Sequence, residues 1–208
     1  MFKSVVKVCG STVKLQFLKS QYHPHFLFNA LNTVYFQIDE SNKAPRRTLE
    51  MISELLRYQL YGGNQKVSIL QEIDYLKTYI ALRKLRMSER LRLRVEFPPE
   101  LNELNIYPLL FLPLVENAFK YVGGDYQLDI IMKWENNRIS LFIRNSIPEL
   151  SAEDEALRKS VDKRQRKGIG LVNLRRRLSL LYPNKHRLET RKEETEFVAE
   201  LMIEIEDI

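Results

Sequence analysis

The side chain with the clearest chemical potential is the imidazole of His25, which follows Pro24 at the start of a stretch with helical periodicity. On a helix, His25, Asn29 and Asn32 recur at i, i+4 and i+7 and share one face. A second face is apolar and carries Leu27, Leu31, Val34 and Ile38. Proline is tolerated in a first helical turn, where its missing N–H has no helical partner. The pattern predicts that the His25 imidazole lies near a helix start and points away from the core. It is then a nucleophile, a metal ligand or simply a solvated side chain.

Metal binding is the weakest of these three interpretations. His23 and His25 are separated by one residue, so their side chains diverge on a helix. The sequence around them offers no cysteine or acidic residue that could complete a coordination shell. The choice between a nucleophile and a solvated side chain depends on the rest of the chain.

A second cluster ends the apolar run from Pro108 to Lys120, PLLFLPLVENAFK. Glu116, Asn117 and Lys120 place an acid, an amide and a base within about one helical turn. Hard oxygen ligands suit Mg²⁺, and an ammonium group suits phosphate. The cluster predicts a magnesium and phosphate site at the end of a buried helix, although polar residues emerging into water would show the same pattern.

A third segment contains Gly168 and Gly170, immediately before a helical stretch from Leu171 to Leu181. Glycine lets backbone N–H groups approach an anion closely, and a helix N-terminus adds a favourable dipole. A lone Gly-x-Gly is weak support for a phosphate site. The presence of all three segments in this order is stronger support than any one of them alone, and it favours nucleotide chemistry.

The elements that must position these residues begin with a helical region, from about Thr12 to Met87. We expect a first helix through Ile38, a loop at Asp39 to Pro45, a second helix through Tyr61, a break at Gly62-Gly63-Asn64 and a third helix from Leu70. The second helix carries its large aliphatic residues on one side: Leu49, Ile52, Leu55, Leu56 and Leu60. The first two helices should form an antiparallel hairpin, whose apolar seam two chains can bury as a four-helix dimer.

From about Leu91 onward, strand and helix periods alternate. The strand patterns are Leu91–Phe97, Leu128–Trp134, Ile139–Asn145, Arg187–Lys192 and Glu196–Glu204. The second and third of these flank a hairpin turn at 135–138, in which asparagine tolerates positive φ. The polar segment 146–167 is typical of a mobile lid. Helices on one face of a mixed sheet, an α/β sandwich, are the expected architecture.

Composition limits the class of protein. With 208 residues and 44% hydrophobic content, the chain can bury a substantial core. Its longest apolar stretch, Tyr107 to Val115, is too short to span a bilayer. Cys9 is the only cysteine, which excludes an internal disulfide and fits a reducing compartment. The chain has a formal charge of +6, and its basic residues cluster in 163–167 and 175–177. These clusters are either solvated helix faces or surfaces that attract nucleotide phosphates, nucleic acid or an anionic membrane.

Together the motifs resemble those of the LytS/YehU-type bacterial sensor histidine kinases, whose ATP-binding half shares its fold with DNA gyrase and the MutL repair proteins. HPHFLFNALN is similar to the phosphoacceptor box, LPLVENAFK to the nucleotide box and GIGLVNLRRRL to the second glycine box. The segment from Leu70 through Tyr79 to Arg86 looks like the connecting helix. The resemblance implies an α+β chain. Residues 1–88 would be a helical hairpin for dimerisation and phosphoacceptance, and 89–208 a gyrase/MutL/histidine-kinase-type ATP-binding α/β sandwich.

The resemblance also implies ATP and Mg²⁺ as cofactors and a role for each candidate residue. The implied roles are phosphoacceptor for His25, general base for Glu116, magnesium ligand for Asn117, phosphate contact for Lys120, adenine contact for Asn145, and phosphate-binding turn for Gly168 and Gly170. Three positions depart from the family pattern: His23 stands where the family usually has asparagine, and Tyr121 where histidine is common. The largest departure is Asn145, which stands where related ATPases carry the aspartate of an Asp-x-Gly-x-Gly box. An amide oxygen can accept the adenine amino group, but it is neutral and therefore a weaker acceptor.

Partners and location follow from the same resemblance. It implies a homodimer that passes phosphate to an aspartate of a response regulator of the LytTR type. It further implies a membrane-embedded sensor upstream, a location on the cytoplasmic side of the bacterial inner membrane, and no direct binding of nucleic acid. The alternative is a catalytically weak or inactive nucleotide-binding scaffold that dimerises and binds a response regulator. Retention of His25, Asn117 and both glycines argues against that alternative.

Overall fold

The computed structural model describes residues 24–61, 65–99, 101, 104–148 and 169–205. The chain divides into two compact units, Met1–Gly63 and Asn64–Ile208. We predicted a boundary between residues 88 and 89, and the structural division comes earlier. The reason is that the helix Ile69–Lys84 buries Ile69, Ile73, Leu76 and Ile80 and so contributes to the core of the second unit. The dimerisation role assigned to 1–88 stays a prediction.

The described part of the first unit is a pair of contacting helices, α1 (Pro24–Gln37) and α2 (Lys43–Tyr61). Phe28 stacks on Tyr61 at the open end, and the Tyr35 hydroxyl donates to Glu50 further along, so the pair is antiparallel as predicted. The predicted end of the connecting loop, at Pro45, is wrong. Helix α2 already begins at Lys43, because a proline in the first turn has no helical N–H to lose.

The described part of the second unit contains three helices and seven strands. The helices are α3 (Ile69–Lys84), α4 (Leu112–Tyr121) and α5 (Ile169–Leu181). The strands are β1 (Val67–Ser68), β2 (Arg92–Glu96), β3 (Asn105–Ile106), β4 (Gln127–Glu135), β5 (Arg138–Ser146), β6 (His186–Lys192) and β7 (Glu196–Glu204). Within the described ranges, no helix is long and apolar enough to cross a bilayer.

Five strands form one mixed sheet in the order β2-β4-β5-β7-β6. Strand β2 runs parallel to β4, and the other neighbouring pairs are antiparallel. Helix α4 contacts β4 and β5, α5 contacts β6, and the two helices contact each other, so they cover the same face. The predicted α+β class, with helices on one face of a mixed sheet, is confirmed.

Along strands such as β5, buried apolar side chains alternate with less buried ones and form the buried face of the sheet. Ile130 of β4 pairs with Ile143 of β5, and Leu141 pairs with Leu201 of β7, all of them buried. The turn between β4 and β5 lies at Asn136 and Asn137, whose φ angles are 51° and 58°. Asparagine adopts this left-handed region more readily than most residues, so the predicted hairpin is confirmed.

Two short features were not predicted. Strands β1 and β3 pair antiparallel through Val67 with Ile106 and Ser68 with Asn105, and two residues are too few to show a periodicity. Ser68 then caps α3, since its hydroxyl accepts the N–H of Leu70 while the Gln71 side chain accepts the N–H of Ser68. This capping box joins the small sheet directly to the helix.

Candidate functional site

His25 is exposed in the first turn of α1, where the sequence pattern predicted it. Its Nδ1 atom lies 3.2 Å from Nδ2 of Asn29, one helical turn along the same face. Asn32, which shares this face, is also exposed. The imidazole is therefore open to solvent and oriented by a neighbouring amide.

The orientation of the Asn29 amide decides which ring nitrogen of His25 is available for chemistry. An NH₂ group only donates, so with Nδ2 facing the ring the His25 proton would be on Nε2. Rotating the amide by half a turn exchanges its oxygen and nitrogen at almost no change in shape. The Nδ1–H group of His25 then donates to Asn29, and Nε2 keeps an exposed lone pair.

The apolar side of the hairpin is incompletely covered within the described part of one chain. Helix α1 has no buried residue, and Leu55 is the buried residue of α2. Val34 is 47% exposed and Phe36 is 79% exposed. Val34, which belongs to the predicted stripe, is therefore not covered by α2 within one chain. Tyr35 faces α2 instead, because it follows Leu31 by four residues and so shares its direction on the helix.

Helix α4 carries the predicted acid, amide and base along its second half. Glu116 and Lys120 are exposed, and Asn117 is half-buried. The opposite side of the helix is buried and consists of Leu112, Leu114, Val115, Ala118 and Phe119. The structure thus brings the three polar residues together at the end of a buried helix. Among the described residues, no group of three or more His, Cys, Asp or Glu is placed to hold a metal ion.

Glu116 also interacts with two residues of α3 that the sequence analysis did not assign to the site. Partial burial raises the pKa of the Glu116 carboxyl, and the positive charge of Arg83 acts in the opposite direction. Burial raises the pKa of Tyr79 as well, and the Glu116 charge adds to that effect. The Arg83 guanidinium lies 5.7 Å from the ring centroid of Phe119, and the Tyr79 ring meets Phe119 edge-on at 6.5 Å. Tyr79 and Arg83 are one turn apart on α3, and that spacing is the signal that could have identified them.

Asn145 is completely buried near the end of β5, on the sheet face that the helices cover. Its Nδ2 donates to the carbonyl of Ser146 at 3.2 Å, whereas its Oδ1 has no hydrogen-bond partner among the described residues. Exchanging the two amide atoms would bring two acceptor oxygens together, so the Ser146 carbonyl fixes the orientation. An unpaired buried acceptor costs about 1–3 kcal/mol. A ligand that donates a hydrogen bond to Oδ1 would relieve this cost.

The loop after α4 lies against the segment that follows Asn145. The N–H of Gly123 donates to the carbonyl of Ser146 at 3.0 Å, and the Ser146 hydroxyl donates back to the Gly123 carbonyl at 2.6 Å. A Cβ atom at Gly123 would lie 2.9 Å from the Pro148 side chain, and Gly124 has a φ of 60°. These two glycines, which the sequence analysis did not identify, therefore allow the end of α4 to lie close to the end of β5.

Gly170 is the second residue of α5, not part of a turn that precedes it. The predicted helix start at Leu171 is therefore late by two residues. A Cβ atom at Gly170 would meet no atom within 4 Å, so the described packing does not itself require a glycine there. Gly168 lies outside the described residues, as do His23 and 149–167 of the predicted lid. The phosphate-binding turn stays a prediction.

Two of the three consecutive arginines of α5 bind the protein itself. Arg175 donates to the Leu188 carbonyl and to the Thr190 hydroxyl, each at 3.2 Å. Arg177 donates to the carbonyl of Leu109 at 3.4 Å. Arg176 is exposed. Arg175 is also exposed, whereas Arg177 is half-buried, so the interpretation as a solvated basic face is wrong for Arg177, to which a tertiary contact provides an acceptor.

The second unit thus places its candidate residues on three elements that pack together. Helix α4, with Glu116, Asn117 and Lys120, contacts both β5, which ends beside Asn145, and α5, which begins beside Gly170. His25 lies in the first unit.

Comparison with known proteins finds similarity to histidine kinases. Residues 13–91, which include His25, match the family model described as histidine kinase. The sensor protein kinase HptS of Staphylococcus aureus is 28% identical over 181 residues, which cover 85% of this chain and 35% of HptS. Both findings support a histidine kinase, and neither distinguishes the LytS/YehU subtype. The chain spans about a third of the length of the curated relatives it matches.

Several solved structures are similar to this chain. The histidine kinase AdeS of Acinetobacter baumannii has a TM-score of 0.44 at 13% identity, covering 89% of this chain and 96% of AdeS. The mycobacterial sensor histidine kinase MprB has a TM-score of 0.45 at 13% identity, covering 70% of this chain and all of the MprB chain.

Proposed function

We propose that the chain is the kinase region of a LytS/YehU-type sensor histidine kinase. It binds ATP with magnesium, transfers the γ-phosphoryl group to His25, and passes the phosphoryl group on to an aspartate of a response regulator. The observation that carries the proposal is the imidazole of His25, exposed at a helix start and oriented by Asn29 at 3.2 Å. The family match over 13–91 includes this residue and supports the assignment.

The reaction needs an accessible lone pair on a ring nitrogen. We assign this role to Nε2, with the Nδ1–H group donating to the Asn29 oxygen. A bond forms between Nε2 and the γ-phosphorus, the bond to the oxygen bridging the β- and γ-phosphates breaks, and ADP leaves with that electron pair. The phosphorylated ring then carries a positive charge, and losing the Nδ1 proton to a base makes it neutral. Positioning the nucleophile is most of what a protein contributes to phosphoryl transfer.

Residues of the second unit would bind the nucleotide. The unpaired Oδ1 of Asn145 suits the amino group of adenine, which donates a hydrogen bond. Lys120 would contact the phosphates, as would the backbone around Gly168 and Gly170. The amide oxygen of Asn117 suits magnesium, which binds through few protein oxygens together with substrate phosphates and neutralises charge that develops on them. Glu116 would act as the general base, and its raised pKa makes its carboxylate a better proton acceptor.

Assembly and location belong to the same proposal. The uncovered apolar side of the α1–α2 hairpin supports a homodimer in which two hairpins form a four-helix bundle. A LytTR-type regulator would receive the phosphoryl group. Since the chain corresponds to 35% of HptS, we propose that the full-length protein also carries a membrane sensor region. This kinase region would then act on the cytoplasmic side of the bacterial inner membrane.

Incubation with γ-labelled ATP and magnesium tests the phosphoacceptor directly. We expect label on the chain that is lost in acid and kept in base, as a phosphorus–nitrogen bond requires. His25→Ala should abolish labelling, because it removes the ring nitrogen to which we assign the phosphoryl group. His23→Ala is the matched control and should retain it. Label that persists in His25→Ala and disappears in His23→Ala would overturn the assignment.

A further inference from the structure

The segment that leads into α4 is held by an acidic residue of α3. Glu72 is completely buried, and its Oε2 accepts the backbone N–H of Leu109 at 2.9 Å. Leu109 has a φ of 58°, a left-handed conformation that is sterically unfavourable for a residue with a Cβ atom. Burying a carboxylate is unfavourable unless donors satisfy it. This hydrogen bond therefore joins a buried carboxylate to a residue with an unfavourable backbone conformation.

The same segment is also held by α5 and by the residue that follows it. Arg177 of α5 donates to the carbonyl of Leu109 at 3.4 Å, a long hydrogen bond. The N–H of Tyr107 donates to the hydroxyl of Tyr182 at 3.2 Å, and the two rings meet edge-on at 5.8 Å. Burial raises the pKa of Tyr182, so its hydroxyl stays neutral. The chain between β3 and α4 is thus bound to α3 through Glu72 and to α5 through Arg177.

The direction of α4 depends on this segment, because the helix begins at Leu112, three residues after Leu109. Asn117 is five residues further along, a rise of about 7.5 Å. A tilt of about 10° at the start of α4 would therefore move Asn117 by about 1 Å, more than the roughly 0.5 Å that a binding site tolerates. The hydrogen bonds to Leu109 set this tilt relative to α3 and α5.

We propose that Glu72 is a positioning residue for nucleotide binding. By holding Leu109 in its left-handed conformation, Glu72 keeps α4, and with it Asn117 and Lys120, in a fixed relation to α5. This inference rests on the proposed function, in which α4 and α5 bind ATP.

Variants at both ends of the hydrogen bond test the inference by calorimetry with ATP and magnesium. Glu72→Leu removes the acceptor and should weaken ATP binding by about tenfold, in line with the loss of a buried hydrogen bond. Glu72→Gln keeps an oxygen acceptor and should bind ATP within about twofold of the wild type. Adding Leu109→Gly to Glu72→Leu should restore much of the affinity, since glycine adopts positive φ without strain. A general loss of folding would not be reversed in this way.

Hydrogen exchange at the Leu109 amide gives an independent readout. The amide should be protected in the wild type and in Glu72→Gln, and it should exchange faster in Glu72→Leu. If Glu72→Leu does not fold, Leu109→Val tests the bond from its other end, because a β-branched residue is more strained at positive φ. Leu109→Val should then weaken ATP binding, whereas Leu109→Gly in the wild-type background should not.

The possible failures are distinguishable. Folded Glu72→Leu that binds ATP as tightly as the wild type overturns the role of Glu72 alone, as does weak binding that Leu109→Gly leaves unchanged. Unaltered exchange at Leu109 in Glu72→Leu overturns the proposed anchor. A wild-type chain that binds no ATP overturns the proposed function together with this inference.

Discussion

At the scale of single residues, the buried amide of Asn145 leads to a prediction about nucleotide selectivity. Its nitrogen is bound to the Ser146 carbonyl, so the atom left unpaired is an acceptor. Adenine presents an amino group that can donate to it, whereas guanine presents a carbonyl oxygen in the corresponding place. If Asn145 contacts the base as we propose, its unpaired oxygen would favour ATP over GTP although it is a neutral amide in place of the usual aspartate.

Asn145→Asp should change both stability and selectivity. The new carboxylate would face the Ser146 carbonyl, so the nucleotide-free variant should melt at a lower temperature than the wild type. A charged acceptor binds a donor more strongly, so ATP affinity should rise by about tenfold. Calorimetry with ATP and GTP measures this. Asn145→Leu is the control that removes the acceptor and should bind both nucleotides equally. Equal affinities for ATP and GTP in the wild type and in Asn145→Asp would show that position 145 does not contact the base.

Glu116 leads to a prediction about pH. Its pKa is raised in the folded chain, so the folded state holds the proton more tightly than the unfolded state. The charged carboxylate therefore destabilises the fold above its folded pKa, and this effect disappears as the pH falls below the ordinary pKa of glutamate. Glu116→Gln removes the charge at every pH. Its stability advantage over the wild type should thus be present at neutral pH and lost in acid.

Denaturant unfolding of both chains across this pH range measures the difference. Glu89, an exposed acid with no contact to this cluster among the described interactions, provides the matched control as Glu89→Gln. An advantage of Glu116→Gln that grows as the pH falls would contradict the raised pKa of the Glu116 carboxyl.

At the scale of elements, the α1–α2 hairpin leaves most of its apolar side chains only partly covered within one chain. Its helices carry large apolar side chains, yet Leu55 is the only one that is buried among their described residues. Most of the stability of a helix in a protein comes from packing an amphipathic face. A second hairpin is the partner that we expect, and it would bury Val34 with the half-buried leucines of α2.

Val34→Glu tests this expectation at a residue that is 47% exposed in one chain. A charge there should not disrupt a single hairpin, but it would be buried in a four-helix dimer, so we expect a monomer at micromolar concentration. Light scattering measures the mass. Arg47→Glu, on the polar face of α2, is the control and should remain dimeric. A wild-type chain that is already monomeric would exclude the dimer.

At the scale of the whole molecule, the division into two compact units separates the candidate phosphoacceptor from the candidate nucleotide residues. The second unit contains the mixed sheet and both of the helices that cover it. Because α3 contributes buried residues to this unit, a fragment meant to bind nucleotide must begin before α3.

A fragment of residues 64–208 should bind ATP with an affinity within about twofold of the intact chain, since separate units contribute almost independently. It should incorporate no label from γ-labelled ATP, because it lacks His25. A fragment of residues 89–208, cut at the boundary that we predicted from the sequence, is the control and should be unstable without α3. Efficient labelling of 64–208 would place the phosphoacceptor outside the hairpin.

What the sequence determined by itself was local. The helical face of His25 and Asn29, the strand alternation on both sides of Asn136 and Asn137, and the polar end of α4 all follow from side-chain period and turn chemistry, which neighbours in the chain decide. These patterns were enough for the α+β class and for the positions of the candidate residues along the chain.

Tertiary structure decided which of these groups meet. It placed Glu116 beside Tyr79 and Arg83, left one oxygen of Asn145 without a partner among the described residues, and joined Glu72 to Leu109 across 37 positions of sequence. It also assigned α3 to the second unit. Such contacts depend on which elements pack together and on what each buried polar group then finds within hydrogen-bond reach. The spacing of residues along the chain does not carry that information, because the burial of a side chain and its hydrogen-bond partner are properties of the folded chain as a whole.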